Sequence, residues 1–549
     1  MLRVFLSFFN RIWALGKLPG DWKHAIVIPI LKEGKDGTVP SSYRPISLIS
    51  VVCKLREKMV NNRLVFFLEK NNLLYKGQSG FRKGRSVMDH ISALANDARK
   101  SRGNQESLLG VFLDIQKAYD SVWKNGLLYK LSNLGVNGRM YDWIGDFLSD
   151  RTFQVRVGLS LSSSFHSDNG IPQGSCLSPT LFSIMINDVA SIRKLHSKLF
   201  LFADDIAMWI QCKNLAISSK KLQDDIRRME KWAEDWGFKL SADKSEFIRF
   251  SRKKKTDDIA MVINGTCIHP SRVVSFLGVT FDKGLTWTPQ VKELIGKCAK
   301  GINLLRCLSG TEWGAHRDSL LMIYKAKIRS HLDYGCLAFG DMAKSNRKKL
   351  ETVQSKALRV CLGAFTSTPV SALLVEIGEM PLSLRWELLR MKYWARSLSS
   401  GDNHPGKSLF ENCWEYLKLD NNSASLPLGL ACIKLAKEMK LDSLPVSPQN
   451  KVPIGPPWTL EPLRLRMDLW GKMDSVNPVV KRNQVIEFIN ASWSQSLQIY
   501  ADGSKEPSRG RTAAAICICP CGQGLSVNRS SFSFLDRTIC NRPSYGMDN

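Results

Sequence analysis

Residues 198–210, with the sequence KLFLFADDIAMWI, contain two apolar runs separated by the adjacent carboxylates Asp204 and Asp205. Apolar runs of this length are typical of buried strands, so the acidic pair is predicted to lie in a tight turn between two strands. Two neighbouring negative charges repel each other and resist ionisation. A divalent cation would relieve that repulsion. An isolated Asp-Asp pair is also a common solvated turn, so the choice depends on the rest of the chain.

The composition favours a globular, intracellular protein that binds an anionic polymer. The chain has 549 residues, of which 44% are hydrophobic, and this is enough for three or more subdomains. Its formal net charge of +28 is spread along the sequence, which fits an extended nucleic-acid backbone better than a single membrane patch. The 14 cysteines have no regular spacing, which favours reduced thiols.

The first 20 residues, MLRVFLSFFNRIWALGKLPG, have the apolar character of a signal peptide, but Arg3 and Arg11 interrupt the run and no small-residue cleavage site follows. An amphipathic helix is therefore predicted there. No segment reaches the roughly 18 uncharged apolar residues that a membrane span needs. We expect no stable membrane association, and a peripheral protein that binds an anionic surface through its positive charge is the weaker alternative.

A second apolar run, Leu108–Leu113, ends in Asp114. It predicts a buried strand whose end carries a charge at the edge of the core. Because an unpaired buried carboxylate is costly, Asp114 needs a partner, and the cation suggested for the acidic pair would supply one. Tyr119 and Asp120 follow this strand and are expected to open a helix.

Two basic residues close to predicted strands are candidates for phosphate contact. Lys32 follows the apolar run that begins at His24, and Arg44 directly precedes Pro45. Both are predicted to lie on short rigid connections, where a cation would meet a phosphate at a fixed point. Taken alone, the pair is better explained as two ordinary surface cations.

Residues 77–91, GQSGFRKGRSVMDHI, combine glycine with basic side chains. Glycine lets the backbone approach a ligand closely, and the cations offer charge to a phosphate backbone. The candidates for nucleic-acid contact are Arg82, Lys83 and Arg85. A flexible basic turn before a helix explains the segment equally well.

Residues 169–179, NGIPQGSCLSP, precede an apolar helical run. Open backbone N–H groups and the side chain of Gln173 are suited to contact with a nucleotide or a template base. Ser178 is predicted to cap the following helix, with Pro179 as its first residue. Capping and binding are compatible, so both interpretations stand.

The segments after the acidic pair are predicted from their periodicity. Residues 215–236 indicate an amphipathic helix, Lys244 is expected in a turn between strands, and residues 273–287 have the alternation and glycine turn of a hairpin. From about residue 288 to 400 the pattern is helical, with basic residues mostly off the apolar stripe. Such a face could grip a duplex backbone, and the alternative is a solvated helix face.

The last part of the chain is less regular. Residues 443–462 are Pro-rich enough to form a linker. Residues 496–522 predict a strand, a turn bearing Asp502 and a second strand. Three cysteines in that second strand alternate at period two, which fits a strand face and not a zinc site.

Asp114, Asp204 and Asp205 together fit one site. Such a cluster would hold two divalent ions about 3.5 to 4 Å apart, which activate a 3′-hydroxyl and stabilise the leaving pyrophosphate in an in-line displacement. This is the chemistry of a polymerase.

The chain resembles the reverse transcriptase of non-LTR (LINE-type) retrotransposons, and in particular the Jockey-like group of arthropod elements. The resemblance covers about residues 10 to 400 and follows the order and spacing of the family's motifs. These motifs are PILK, YRPISL, GQSGFRKGRS, FLDIQKAYDSV, GIPQGSCLSP, LFADD, LSADKSE and FLGVTFDKGLTW. Each is weak alone, and together they are specific.

The resemblance implies an α+β chain with the right-hand polymerase fold of fingers, palm and thumb, followed by a helical region and an incomplete ribonuclease H-like fragment. The domains expected from it are 1–110 (fingers with the start of the palm), 111–290 (palm with the catalytic carboxylates and the primer-grip hairpin), 291–400 (helical basic thumb), 401–490 (helical, Pro-rich connection) and 491–549 (truncated ribonuclease H-like fragment).

The resemblance also implies roles for individual residues. The catalytic metal ligands would be the carboxylates of Asp114, Asp204 and Asp205, assisted by the main-chain carbonyl of Ile115. Tyr119 would pack under the incoming sugar and exclude a 2′-hydroxyl. The other groups expected near the nucleotide are Lys32 and Arg44 on the triphosphate, Gln173 and Gly174 on the nucleotide and template, and Lys244 near the leaving group. The primer grip would include Phe276, Leu277 and Gly278.

The IYADGSK segment is similar to the first strand of a ribonuclease H domain, and Asp502 matches its first metal ligand. Only 47 residues follow Asp502, too few for a domain of the usual size, and they lack the family's further carboxylates. We therefore expect no ribonuclease H activity. The upstream endonuclease of intact elements is also not seen, which is expected of a fragment of a longer reading frame or a decayed copy.

The function implied is RNA-directed DNA polymerase activity with two Mg²⁺ ions, or Mn²⁺ in their place, acting on an RNA template, a DNA primer and dNTPs. The resemblance implies an intracellular protein that works in the nucleus during target-primed synthesis. The alternative is a catalytically inactive, nucleic-acid-binding remnant of such an element.

Overall fold

The computed structural model describes residues 2–192, 195–251, 259–310, 313–400, 404–410 and 428–441, three single positions up to residue 446, and three later strands. The chain divides into two compact units, Met1–Pro457 and Trp458–Asn549. The predicted linker at 443–462 lies almost wholly outside the described residues. The proposed domain boundaries within the first unit stay predictions.

The helices of the first unit agree with the predicted periodicity at the N-terminus, over residues 215–236 and beyond residue 288. A π-helical segment, Lys325–Arg329, joins α9 to α10. The described helices are α1 (Leu2–Leu15), α2 (Val51–Lys70), α3 (Val87–Gly103), α4 (Lys124–Asn133), α5 (Arg139–Leu148), α6 (Ser178–Met185), α7 (Leu215–Asp235), α8 (Thr288–Leu308), α9 (Arg317–Tyr324), α10 (Ser330–Asp333), α11 (Cys336–Phe339), α12 (Lys344–Leu362), α13 (Val370–Ile377), α14 (Leu382–Leu398) and α15 (Leu428–Glu438).

The strands of the first unit include every strand predicted around the acidic residues. They are β1 (His24–Leu31), β2 (Tyr43–Leu48), β3 (Ser107–Ile115), β4 (Thr152–Val157), β5 (Ser160–Leu161), β6 (Phe165–His166), β7 (Lys198–Phe202), β8 (Asp205–Cys212), β9 (Leu240–Phe250), β10 (Met261–Ile263), β11 (Thr266–Ile268), β12 (Val273–Phe276) and β13 (Val279–Asp282).

An antiparallel sheet of order β7-β8-β3-β9 lies at the centre of the first unit. Strand β3 is apolar on both faces because each face covers a different core. Leu109, Val111 and Leu113 belong to one core, which also contains side chains of α2, α4, α6 and α7. Leu108 and Phe112 belong to a second core with side chains of α3, β12, β13 and α8 to α14. Alternation along one strand thus joins two layers of helices through a single sheet.

A second sheet contains β1 between β2 and β4, with β5 and β6 both paired to β4. The β1–β2 pair is antiparallel and the β1–β4 pair is parallel. Because β1 and β2 carry Lys32 and Arg44 at or near their ends, this sheet sets the positions of both candidate phosphate cations.

Two local predictions were wrong. Asp120 does not open a helix: its N–H donates to the Lys117 carbonyl at 2.8 Å in a turn, and α4 begins only at Lys124. Lys244 is not in a turn between strands but inside β9, beside an irregularity in the pairing of β3 with β9. At Asp120 a local turn takes the place of the predicted helix start, whereas at Lys244 the long-range pairing of β9 with β3 keeps the chain extended.

In the second unit the structure describes three antiparallel strands, β14 (Gln498–Lys505), β15 (Thr512–Cys519) and β16 (Phe532–Phe534), in the order β14-β15-β16. The two predicted strands are therefore present, but the turn predicted at Asp502 is wrong, because Asp502 lies inside β14 and pairs with Ala515. Within the described part of the chain, no helix is long and apolar enough to span a membrane.

Candidate active site

The acidic residues lie at the tip of the β7–β8 hairpin. Phe202 pairs with Asp205, so Ala203 and Asp204 are the two residues of the turn. Ala203 has a φ of 55°, a left-handed conformation that two-residue hairpin turns favour. The hairpin predicted from the sequence is confirmed, and its apolar strands are buried on both sides of an acidic tip.

Asp114 reaches the same place from the neighbouring strand. Strand β3 runs antiparallel to β8, with Leu113 paired to Ile206, so Asp114 follows beside Asp205 at the end of that ladder. On its other side Asp114 pairs with Ser241 of β9. The structure therefore brings together three carboxylates that are separated by 90 residues of sequence, and we call Asp114, Asp204 and Asp205 the carboxylate cluster.

The charges of the carboxylate cluster are incompletely balanced. Burial raises the pKa of Asp204, and the nearby charge of Asp114 raises it further, while Lys244 and Arg44 act in the opposite direction. Asp205 is in contact with solvent, yet desolvation by the surrounding protein raises the pKa of its carboxyl group. The charges of Asp204 and Asp114 raise this pKa further, to about 6. Lys244 Nζ lies 3.0 Å from Asp114 Oδ2. Lys244, the cation in direct contact with the cluster, and the more distant Arg44 thus oppose three negative charges.

The donor set suits a hard divalent cation, since such ions prefer carboxylate oxygens. Mutual repulsion among the three carboxylates is the feature that a bound cation would remove. Among the residues that the structure describes, however, no three His, Cys, Asp or Glu side chains are already arranged as a metal-holding group. In the carboxylate cluster, Lys244 is bound to Asp114 instead.

Tyr119 lies next to the cluster. Its ring stacks on Phe182 of α6, with centroids 4.8 Å apart and an angle of 12°. Burial and then the charge of Asp204 raise the pKa of the Tyr119 hydroxyl, so it stays neutral. The Tyr119 carbonyl accepts a hydrogen bond from the Ile171 N–H at 2.9 Å, which ties the turn after β3 to the segment 169–179.

The Gln173 loop packs against strand β2. The Ser47 N–H donates to the Gln173 carbonyl at 2.7 Å, and Gln173 Nε2 donates to Asp120 Oδ1 at 3.1 Å. Gly174 has a φ of 129°, and a Cβ there would lie 2.5 Å from the Ser47 carbonyl oxygen, so glycine is required. Hydrogen bonds therefore connect the Gln173 loop to β2 and to the turn that contains Tyr119, beside the carboxylate cluster.

Glu57 anchors this loop, and sequence reasoning missed it. It is fully buried in α2, and its Oε2 accepts hydrogen bonds from Ser175 Oγ at 2.6 Å and from the Cys176 N–H at 2.8 Å. The prediction that Ser178 caps α6 was also wrong, because Ser175 Oγ accepts the Leu177 and Ser178 N–H groups. The sequence signal that could have identified Glu57 is its place on the buried face of α2, which also carries Cys53 and Val60.

Of the two candidate phosphate cations, one lies within electrostatic range of the cluster. Arg44 is exposed on β2 and lies close enough to lower the pKa of Asp204. Lys32 Nζ donates to the Ser41 carbonyl at 2.9 Å, within its own connection. The structure brings Arg44 to the site and leaves Lys32 on the loop between β1 and β2.

The basic segment 77–91 has two kinds of cation. Arg82 is used inside the protein: its Nε and Nη2 donate to the two Glu69 oxygens at 2.8 and 2.7 Å, and its side chain is only 7% exposed. Its interpretation as a nucleic-acid contact is therefore corrected, since the guanidinium already forms a bidentate ion pair. Lys83 is exposed, and Arg85 donates to the Lys76 carbonyl at 3.1 Å.

The predicted hairpin after β9 is confirmed as β12–β13, with Leu277 and Gly278 in its turn at positive φ. Phe276 is 4% exposed and packs on Phe112, with ring centroids 4.8 Å apart, so its side chain is a core residue and not a nucleic-acid contact. The Leu277 carbonyl accepts a hydrogen bond from the Tyr334 hydroxyl at 2.7 Å. In the turn, Gly278 is exposed and Leu277 is half-buried.

The two remaining candidates are the Ile115 carbonyl and Asp502. Ile115 is buried and pairs with Leu240 of β9, directly after Asp114. Asp502 pairs with Ala515 in the second unit, and its side chain lies outside the described residues.

Residues 30–281 match the family described as reverse transcriptase (RNA-dependent DNA polymerase). The match runs from β1 to β13 and includes the whole carboxylate cluster. These residues form a reverse transcriptase domain. The predicted resemblance is thereby confirmed for this part of the chain, and the ribonuclease H-like resemblance of the last residues stays a prediction.

Two relatives from Drosophila melanogaster extend the comparison. The chain is 31% identical over 369 residues to the RNA-directed DNA polymerase from mobile element jockey, covering 66% of this chain and 40% of the relative. It is 30% identical over 358 residues to the probable RNA-directed DNA polymerase from transposon BS, covering 64% and 39%. The chain thus spans about two fifths of these relatives' length.

Among solved structures, telomerase from Candida tropicalis in complex with a TWJ fragment of telomeric RNA aligns with a TM-score of 0.39 and 13% identity. The alignment covers 81% of this chain and 66% of that chain.

Proposed function

We propose that this chain is an RNA-directed DNA polymerase that transfers nucleotides from dNTPs to a primer 3′-hydroxyl. The observation that carries the proposal is the meeting of Asp114, Asp204 and Asp205 at adjacent strand ends inside a reverse transcriptase domain. Carboxylates crowded in this way favour cation binding at neutral pH, where all three would otherwise repel one another.

In this proposal the chain has the right-hand arrangement of a polymerase. Strands β1 and β2 belong to the fingers, the central sheet and β4 to the palm, and the helices from α8 to α14 to the thumb. The exposed positions of Arg44 on β2 and of the lysines of α12 support the assignment, since both would face anionic ligands.

The carboxylates of Asp114, Asp204 and Asp205 and the carbonyl of Ile115 would hold two Mg²⁺ ions, with Mn²⁺ as a substitute. When bound, such ions lower the pKa of the attacking hydroxyl and neutralise the charge that develops on the leaving pyrophosphate. Lys244 would then leave Asp114 and turn to the substrate phosphates, because a metal would take over its role as counter-charge.

The surrounding residues would position the nucleotide. Arg44 offers its guanidinium to the triphosphate from β2, and Lys32 could join it only by giving up the Ser41 carbonyl. Tyr119, held flat on Phe182, would form the floor under the sugar and exclude a 2′-hydroxyl by its bulk. Gln173 and Gly174, fixed against Ser47, would border the nucleotide and template. The roles of Tyr119, Gln173 and Gly174 depend on contacts that already orient these residues.

Nucleic acid would follow a basic track outside the cluster. Lys83 and Arg85 remain the candidates from segment 77–91, and the turn at Leu277 and Gly278 is the candidate for primer contact. Helix α12 adds basic side chains opposite a stripe of buried residues that includes Leu350, as expected for a solvent-facing grip on a backbone.

Primer extension tests the proposal. Purified chain is incubated with an RNA template, an annealed DNA primer, dNTPs and Mg²⁺, and Asp204→Asn is the matched control. We expect extension that requires template RNA and Mg²⁺ and is lost in the variant. If the wild-type protein binds RNA in a salt-sensitive way but makes no product above the control, the chain is a nucleic-acid-binding remnant instead.

A further inference from the structure

The strand that carries the acidic tip is held on its outer side by residues 77–80, which the proposed chemistry does not use. The Ser79 N–H donates to the Leu201 carbonyl, and the Leu201 N–H donates to the Gly77 carbonyl, each at 3.0 Å. Gln78 and Leu201 form a parallel β-bridge. This short segment therefore lies along β7 on the side opposite β8 and extends the sheet next to the tip.

Gln78 extends this contact to the turn at the tip of the β7–β8 hairpin. Its side chain is 1% exposed, and its Oε1 accepts hydrogen bonds from the Gly80 N–H at 2.7 Å and from the Ala203 N–H at 3.3 Å. At Gly80 a Cβ would lie 2.3 Å from the Ala203 nitrogen, so the two backbones are in direct contact there. A buried amide oxygen and a glycine thus fix the residue that precedes Asp204.

Ala203 needs such support because of its backbone conformation. Its φ of 55° lies in the region where glycine is favoured. In two-residue hairpin turns with a positive φ at the first position only, that position is usually glycine. Residues with a side chain persist there when surrounding contacts over-determine the conformation. The hydrogen bond that the Ala203 N–H donates to Gln78 Oε1 and the contact with Gly80 are the contacts that do so on the outer side of β7.

We propose that Gln78 is a positioning residue of the polymerase site, which acts through Ala203 to fix the direction in which Asp204 and Asp205 leave the hairpin. This inference rests on the proposed function. Gln78 needs no contact with substrate, because its effect is transmitted by the backbone of the turn. Small displacements of the reacting groups have large kinetic consequences, so a turn free to change its conformation would impair the step.

The test uses Gln78→Met, which keeps the size of the side chain and removes the acceptor oxygen. We expect kcat for primer extension to fall by about 10- to 100-fold with little change in KM for dNTP. The Kd of Mn²⁺ alone, measured by electron paramagnetic resonance, should rise by about tenfold. Circular dichroism checks that the variant is folded, and Gln78→Asn, whose amide is one carbon too short, replaces it if it is not.

A rescue experiment separates positioning from packing. Adding Ala203→Gly to Gln78→Met should restore much of the lost kcat, because glycine adopts a positive φ without strain. A role limited to packing predicts no recovery. Ser79→Ala is the matched control: its buried hydroxyl has no hydrogen-bond partner among the described residues, and the substitution leaves the backbone bond to Leu201 intact, so activity should not change.

The outcomes distinguish this inference from the proposed function. If wild-type protein extends primers and Gln78→Met equals it in kcat and Mn²⁺ affinity, the positioning role is wrong and the function stands. If wild-type protein makes no product but its Mn²⁺ affinity still depends on Gln78, the function is wrong and the positioning role stands. Equal Mn²⁺ affinities in an inactive protein would overturn both.

Discussion

Glu57 and the carboxylate cluster show opposite ways of placing negative charge inside one folded unit. Glu57 is fully buried, yet its oxygens accept hydrogen bonds from Ser175, Cys176 and Cys53, and Arg151 lies within electrostatic range. Every part of that carboxylate has a partner. The Glu57 carboxylate therefore has a structural role, because it anchors the Gln173 loop from inside the protein.

The carboxylate cluster has the reverse balance. Asp204 and Asp205 have raised pKa values, and after burial the largest destabilising contribution to Asp205 comes from Asp204 itself. Lys244 is bound to Asp114 from an exposed position, where an ion pair contributes little. The comparison shows that burial alone does not distinguish a functional carboxylate from a structural one. The distinguishing feature is a group of like charges that the protein brings together without enough counter-charge.

The largest effect that tests this comparison is expected for Asp204→Asn. The substitution keeps the shape of the side chain and removes a charge that helps to hold a catalytic cation. Because such cations supply several kcal/mol of transition-state stabilisation, primer extension should fall at least about a thousandfold. The free energy of unfolding of metal-free protein, measured in urea, should not fall, since a repulsion is relieved. A clear loss of stability would contradict the contrast with Glu57.

The second effect concerns Glu57→Ala. Removing a buried carboxylate leaves Ser175 Oγ and the Cys176 N–H without their acceptor and Arg151 without its nearby negative charge, so unfolding free energy should fall by about 3 kcal/mol. Urea denaturation measures it. Lys58→Ala, at the neighbouring exposed position of the same helix, is the control and should lie within about 0.5 kcal/mol of wild type. Equal stability of the two variants would show that Glu57 is not an anchor.

The third prediction is a linkage between Mg²⁺ and stability. If the cluster binds a cation in the folded state, Mg²⁺ at ten times its Kd should stabilise wild-type protein by about 1.4 kcal/mol. Asp204→Asn should lose most of this gain, whereas Glu57→Ala should keep it because its change lies elsewhere. Thermal unfolding with Mg²⁺ or with chelator measures the gain. A gain of the same size in Asp204→Asn would place the bound ion outside the cluster.

The smallest effect is expected for Lys244→Met. In metal-free protein the variant loses the one cation bound to Asp114, and because this pair is exposed the cost should be below about 1 kcal/mol. With saturating Mg²⁺ the cost should disappear, since a bound cation replaces the lysine as counter-charge. Urea denaturation of both proteins under both conditions gives the four values needed. A cost that persists unchanged in Mg²⁺ would mean that Lys244 has a separate structural role.

Local sequence patterns predicted the elements around the site well. The hairpin at 198–210, the strand ending in Asp114 and the hairpin at 273–287 each follow from apolar alternation and turn residues, and each is present in the structure. Local patterns were less informative for single polar residues. Asp120 was expected to open a helix and Ser178 to cap one, but α4 begins only at Lys124, and the hydroxyl of Ser175 accepts the N–H groups at the start of α6.

The sequence could not tell which cations are free. Arg82 and Lys83 are neighbours in the same basic segment, yet one is paired with Glu69 and the other is exposed. Phe276 was likewise a candidate for nucleic-acid contact and is a core residue beside Phe112. The partners lie 13 and 164 positions away, so no local rule could have identified them.

By itself the sequence determined that two adjacent carboxylates occupy a hairpin tip and that a third ends a buried strand, because alternation and turn propensity act over a few residues. Only the tertiary structure decided that these strands are neighbours. In the order β7-β8-β3-β9, strands β3 and β8, which are both apolar on both faces, pair side by side between two helical cores, and this places Asp114 beside Asp205. The support that Gln78 gives to Ala203 likewise exists only once residues 77–80 lie along β7.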